Sequence, residues 1–200
     1  MKKLSIVVLA VLLALTMISS ALAVQKAFIK AKPFIFDPDD TGLVVAAWPG
    51  QQGLPDVGKA RHALLLQKDA AAPPEVLVGV SIQGVQRRIL TELGLDVRND
   101  ATITATSPRF VVTLANGDTF TFFLAAQTPA PIGGTNFGRI RFVDADAVAQ
   151  AGNLLPWPGL GTAVVQSIRL IVDQAGATDF LDNLDFNGTL IGKPGNIVLK

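Results

Sequence analysis

Apolar and polar residues alternate with a period of two along most of this chain, and Gly, Pro, Asn and Asp separate the alternating runs. Such alternation is typical of β-strands with one buried face. About ten runs are present; two of them, Phe110–Leu114 and Thr119–Leu124, flank Asn116-Gly117, a favoured pair for a tight hairpin turn. Amphipathic helices of the kind that connect parallel strands are not found. The pattern therefore predicts an all-β fold, an antiparallel β-sandwich of jelly-roll type with little helix.

Two alternating runs near the C-terminal end flank a short turn at 174–176. The apolar face of the first holds Ile168, Leu170 and Val172, and that of the second holds Phe180, Leu184 and Phe186. We interpret the two runs as a β-hairpin with one buried face. Strands usually avoid Asp and Asn, yet the second run contains Asp182, Asn183 and Asp185. It is therefore a candidate polar site as well as a strand.

Residues 1–23 have the pattern of a secretory signal peptide. Lys2 and Lys3 precede an uncharged apolar run from 4 to 18, and Ala21-Leu22-Ala23 matches a cleavage site. The apolar run is shorter than the roughly 20 residues that a membrane-spanning helix needs, which favours cleavage over anchoring. No later segment has the length and apolarity of a transmembrane helix. We predict one domain over residues 24–200, secreted to the periplasm or outside the cell.

Charge and cysteine content exclude several classes of function. With the two signal-peptide lysines removed from the 17 basic residues, the rest of the chain is close to neutral against its 16 acidic residues. A near-neutral chain has no general attraction to nucleic acid or to anionic membranes. Cysteine is missing altogether, which excludes disulfides, thiol catalysis and cysteine metal sites. The stability of this exported fold must then come from its core, or from its core and a bound ion.

Motifs of known enzyme classes are not present. His62 is the only histidine, whereas a catalytic zinc site normally uses several, and no G-x-S-x-G motif accompanies it. After the signal peptide the only glutamates are Glu75 and Glu92, and nothing in the sequence pairs their carboxylates as a glycosidase requires. We therefore predict no catalytic residues. A hydrolase that uses Asp residues or Glu92 is kept as an alternative.

Aspartates cluster in the turn at 37–42, which holds Asp37, Asp39 and Asp40. Calcium takes six to eight oxygen ligands from carboxylates, amides and carbonyls, which loops supply easily. Asp also begins turns by accepting hydrogen bonds from nearby N–H groups. Both interpretations are open, and a structural calcium ion, if one is bound, is placed at this turn or at Asp182.

The only two tryptophans each precede a Pro-Gly pair in a loop. If Trp48 and Trp157 are exposed at one end of the sandwich, their rings offer stacking surfaces for sugar rings. If they are buried, they close the end of the core. Together with Asn183 and Asp185, they are the candidate ligand-binding residues.

Three segments resemble a group of uncharacterised secreted bacterial proteins with a single β-sandwich domain. They are Val80–Arg98, Ser107–Val112 with the following Asn116-Gly117-Asp118, and Leu181–Gly188. The last, L-D-N-L-D-F-N-G, is also similar to the closing strand of jelly-roll carbohydrate-binding modules. The resemblance spans residues 42 to 195 and transfers no catalytic residue. It implies a non-enzymatic binding module for an extracellular glycan or surface polymer, and a structural or matrix protein is the alternative.

Overall fold

The computed structural model describes residues 28–55, 61–143 and 159–192. The predicted signal peptide and Trp157 lie outside them. The described residues form twelve strands and one 3-10 helix, Leu124–Ala126. The strands are β1 Lys30–Phe36, β2 Val44–Ala47, β3 Leu64–Lys68, β4 Leu77–Gln83, β5 Glu92–Arg98, β6 Arg109–Leu114, β7 Thr119–Phe123, β8 Ala130–Pro131, β9 Phe137–Val143, β10 Val165–Val172, β11 Thr178–Phe186 and β12 Thr189–Ile191. No helix in these ranges has the length and apolarity to cross a membrane.

Two antiparallel sheets pack face to face. The five-stranded sheet has the order β1-β4-β10-β6-β7, and the seven-stranded sheet has the order β2-β3-β11-β5-β9-β8, with β12 beside β11. The chain crosses repeatedly from one sheet to the other, which confirms the predicted antiparallel sandwich of jelly-roll type. The strand number exceeds about ten because β8 and β12 span only two and three residues, too few for alternation to be visible.

The predicted hairpin between the last two long strands is wrong. Strand β10 pairs with β4 and β6, whereas β11 pairs with β3 and β5 in the opposite sheet. The turn at 174–176 therefore carries the chain across the sandwich. Ile168, Leu170 and Val172 are nevertheless fully buried, as predicted. Alternation reports which face of a strand is buried, and it does not report which strand lies beside it.

A β-bulge changes the phase of β11. The pairing with β5 shifts between Asp182 and Asp185, and Asn183 has a φ of 42°. Before the bulge Leu181 is buried in the core, so Phe180 lies on the outer face, and not beside Leu184 as the sequence predicts. An extra residue at a bulge reverses which alternate positions point inward, and this restores Leu184 and Phe186 to the core.

An aromatic cluster joins the two sheets inside the sandwich. Phe142 of the seven-stranded sheet meets Phe110 and Phe122 of the five-stranded sheet edge to face, with ring centroids 6.4 and 5.3 Å apart. All three rings are almost completely buried. Edge-to-face pairs add to the stabilisation that burial already gives, so this cysteine-free fold has a dense apolar core.

Replacing Gly79 with Ala is expected to lower the free energy of unfolding by about 2 kcal/mol, as overpacking does. A Cβ at this position of β4 would collide with the carbonyl oxygen of Leu170 and lie 2.8 Å from Cζ of Phe34. Gly133→Ala is the matched control, because its Cβ would meet nothing within 4 Å. Urea denaturation compares the two variants, and equal stabilities would contradict the close packing.

Candidate functional site

A polar cluster lies on the outer face of the seven-stranded sheet. We call it the β5–β9–β11 network, after the strands that supply its members: Glu92, Asp96, Arg139, Arg141, Asn183 and Asp185. Cross-strand register brings them together. Asp96 lies opposite Arg139 on β9 and opposite Asp182 on β11, and Gly94 lies opposite both Arg141 and Asp185. These positions alternate with Leu93, Leu95 and Val97, which face the core.

A bidentate ion pair forms the centre of the network. Arg139 donates from Nε to Oδ1 of Asp96 and from Nη2 to Oδ2, the second bond measuring 2.9 Å. Asn183 donates from Nδ2 to the same Oδ2 at 2.7 Å. The hydrogen bonds that Arg139 donates to Asp96 raise the pKa of the guanidinium. Paired forks of this kind fix orientation as well as charge.

Asp182 positions Asn183. Its Oδ1 accepts the Asn183 backbone N–H at 2.8 Å, and its Oδ2 accepts the Leu54 N–H at 2.7 Å. Asn tolerates the left-handed backbone conformation better than most residues do, which suits the φ of 42° at this bulge. Both carboxylate oxygens of Asp182 therefore accept hydrogen bonds from the protein itself. They hold the bulge in the shape that directs the Asn183 amide to Asp96.

Glu92 and Asp185 form a second part of the network, with Arg141 beside Glu92. Arg141 donates from Nε to Oε1 of Glu92 at 2.6 Å and lowers the pKa of that carboxyl. Burial, and then the neighbouring Glu92, raise the pKa of Asp185. Nη1 of Arg139 lies 3.7 Å from Oδ2 of Asp185. The environments of the two carboxyls therefore push their pKa values in opposite directions.

The network has a buried layer and an accessible layer. The side chains of Asp96 and Asp185 are 0% and 3% exposed, whereas those of Arg139 and Arg141 are 24% and 53% exposed. Arg139 has five N–H donors, and two of them bond to Asp96. The buried Asp96 therefore orients the partly exposed Arg139 guanidinium, and the more exposed Arg141 pairs with Glu92.

The structure brings two of the predicted ligand-binding residues together in the network. Asn183 and Asp185 lie in the network, but Trp48 is half-buried against the core, and its indole Nε1 is buried with no hydrogen-bond partner among the described residues. The core contacts of Trp48 are those of a residue that closes one end of the core. Trp157 lies outside the described ranges.

Two of the aspartates proposed for calcium, Asp37 and Asp182, accept hydrogen bonds from the protein itself. Both carboxylate oxygens of Asp37 lie 3.0 Å from the donating Thr41 hydroxyl, and Oδ2 also accepts the Gly42 N–H at 2.9 Å. The Asp40 N–H bonds to the Asp37 carbonyl. Across residues 28–55, 61–143 and 159–192, no three His, Asp or Glu side chains converge as a metal site. The arrangement of Asp37, Asp39 and Asp40 is that of a turn.

Sequence reasoning missed Asp96, Arg139 and Arg141. The signal for them was present, since Arg139 and Arg141 occupy alternate positions of one strand and Asp96 interrupts an apolar strand. The alternation of apolar and polar residues does not show which strands pair, so it could not predict that β5 lies between β9 and β11. Glu92 was considered only as an alternative hydrolase residue.

Comparison with known proteins gives structural similarities alone, since no family model and no curated protein matches the chain. It is similar to the enzymatically active domain of tailspike protein 4 of bacteriophage CBA120, with 14% identity over 82% of this chain and 19% of that chain, at a TM-score of 0.43. It is also similar to a β-1,2-glucanase from Parabacteroides distasonis, with 15% identity over 80% of this chain and 23% of that one, at a TM-score of 0.44. The chain spans about a fifth of the length of each.

Proposed function

We propose that this protein is a secreted, non-enzymatic binding module that recognises a glycan through the β5–β9–β11 network. The observation that supports it is the Arg139 guanidinium held by the buried Asp96, with the more exposed ion pair of Arg141 and Glu92 beside it. Sugar hydroxyls both donate and accept hydrogen bonds, and guanidinium and carboxylate groups side by side offer both kinds of partner. Because the buried Asp96 already holds Arg139 in place, binding costs less ordering of that side chain.

Acid–base hydrolysis is the second candidate, because Glu92 and Asp185 have opposite pKa shifts. Glycosidases hold their two carboxyls about 5 to 9 Å apart, on either side of the bond that they cleave. Here burial and the neighbouring Glu92 raise the pKa of Asp185, whose side chain is only 3% exposed. Such burial keeps the Asp185 carboxyl away from a substrate on the outer face, so we favour binding over catalysis.

A glycan array, followed by pull-down on insoluble polysaccharides, tests the proposal. The protein is expected to retain a defined glycan, and Arg141→Ala and Arg139→Lys are each expected to weaken that binding about tenfold, as truncation of a central contact does. Arg139→Lys keeps the positive charge but loses the planar guanidinium that bonds to both oxygens of Asp96. The ligand found is then incubated with the protein, and its reducing ends are measured.

Asp118→Ala is the matched control, since this residue lies in the exposed β6–β7 turn with Asn116 as its partner. It is expected to bind as the unchanged protein does. Failure of every glycan to bind would contradict the proposal, whereas new reducing ends that disappear in Glu92→Gln would establish the hydrolase. Sedimentation into large assemblies without saturable binding would favour the matrix protein.

A further inference from the structure

The two sheets differ in charge. The five strands of the five-stranded sheet contain no Asp or Glu, and their charged residues are Lys30, Lys32, Arg109 and Arg169. Strands β5 and β11 of the other sheet hold all the strand carboxylates of the described residues. A chain that is near neutral overall therefore presents one outer face whose strands carry only positive charge.

Three of these cations are exposed and lie on the outer face. Lys32 lies opposite Ser81, and Ser81 lies opposite Arg169 of the central strand β10. Lys30 lies one pleat repeat along β1 from Lys32. Among the described residues no carboxylate forms an ion pair with any of the three, whereas Arg109 is paired with Asp173 at 2.7 Å. The exposed charges are thus available to an anionic ligand.

One partly exposed aromatic ring, that of Phe34, lies beside the cations. Phe34 lies opposite Gly79 in register, and its ring is so near that a Cβ on Gly79 would come within 2.8 Å of Cζ. The ring therefore lies over the glycine and remains partly exposed. On the other side of Gly79, Ile171 of β10 is its cross-strand neighbour. Aromatic faces of this kind pack against the apolar face of a sugar ring.

Hydroxyl and amide side chains fill most of the other outward positions of this face: Ser81, Gln83, Thr113, Thr119, Thr121 and Ser167. Such groups match the hydroxyls of a sugar chain. Surface binding to anionic lipids uses a denser cluster, of about four to eight Lys or Arg, or an inserted apolar helix. With three exposed cations spread over a hydroxyl-rich sheet, the chemistry fits an acidic polysaccharide better than a lipid surface.

We infer that the outer face of the five-stranded sheet binds a polysaccharide that carries carboxylate or sulfate groups. Arg169 and Lys32 pair with the acidic groups, and Phe34, in the neighbouring row of the sheet, packs against a sugar ring. This face lies on the opposite side of the sandwich from the β5–β9–β11 network, so the inference is independent of the proposed function.

Calorimetric titration with polygalacturonate and with dextran sulfate tests the inference, with neutral dextran as the comparison. Binding to at least one acidic polymer is expected, and its affinity is expected to fall as NaCl is raised, because salt screens exposed charges. Arg169→Ala and Lys32→Ala are each expected to lower the affinity several-fold, and Phe34→Leu is expected to lower it while retaining salt sensitivity. Melting temperatures confirm that each variant is folded.

Arg141→Ala is the control on the opposite face and is expected to leave polyanion binding unchanged. In the reverse direction, Arg169→Ala is expected to leave any ligand of the β5–β9–β11 network bound, so the two proposals fail separately. The inference is overturned if neither acidic polymer binds at low salt, or if Arg169→Ala binds them as tightly as the unchanged protein. Binding to phosphatidylglycerol vesicles without binding to either polymer would overturn it in favour of a lipid surface.

Discussion

Replacing Asp96 with Ala is expected to lower the free energy of unfolding by about 3 kcal/mol, because removing one partner of a buried ion pair leaves the other unpaired. Asp96 is fully buried and accepts from both Arg139 and Asn183. Its removal leaves a guanidinium that is 24% exposed and an Asn amide without their shared acceptor. Urea denaturation at neutral pH measures the change.

Asp100→Ala is the matched control for this ion pair. Asp100 pairs with Arg98 at the end of the same strand, at 2.6 Å, but its side chain is 65% exposed. Exposed pairs contribute about 0 to 1 kcal/mol because water screens them, so this variant is expected to be nearly as stable as the unchanged protein. Similar losses in both variants would show that burial does not determine the strength of the Asp96 pair. Restored stability in the double variant Asp96→Ala, Arg139→Met would support the unpaired guanidinium as the cause.

The sequence could predict which residues face the core because burial is a local property of a strand. Alternation identified the buried face of β10 correctly, and it identified Leu184 and Phe186. It failed at Phe180, where Asn183 adds a residue to the strand. A bulge is set by the partner strand and by hydrogen bonds such as that from Leu54 to Asp182, and local alternation contains neither.

The candidate site was predictable only in part, for a related reason. Asn183 and Asp185 stood out because strands rarely contain them. Asp96 and Arg139 did not, because they are 43 residues apart in sequence and meet only through the register of β5 with β9. Alternation also predicts that Asp96 faces outward, which is correct, but an outward position in a strand is buried wherever neighbouring side chains and a loop cover it. Charge segregation between the sheets likewise requires knowing which strands pair.

The stability of the fold is expected to fall as pH rises from about 4 to about 6, through Asp179. Its side chain is buried beside the loop after β5, and Oδ2 has no hydrogen-bond partner among the described residues. Burial, together with the charge of Asp100, raises the pKa of Asp179 to about 6 against the ordinary value of 3.8. Between these values the folded protein holds a proton that the unfolded chain releases. This stabilisation is therefore complete below pH 4 and is lost as pH passes 6, at a cost of roughly 3 kcal/mol.

Asp179→Asn tests this assignment, because the amide oxygen can still accept the Thr102 N–H that Oδ1 accepts at 2.7 Å. The variant carries no charge at any pH, so it is expected to be more stable than the unchanged protein at pH 7 and equal to it near pH 4. Asp185 has a pKa shift of the same sign as Asp179, and Glu92 has one of the opposite sign. Because both residues are present in the unchanged protein and in Asp179→Asn, the difference in stability between these two proteins isolates Asp179. Asp118→Asn, at an exposed turn, serves as the control. Urea denaturation from pH 4 to 7 measures how the free energy of unfolding changes with pH. The same change in the unchanged protein and in Asp179→Asn would show that another group causes the pH dependence.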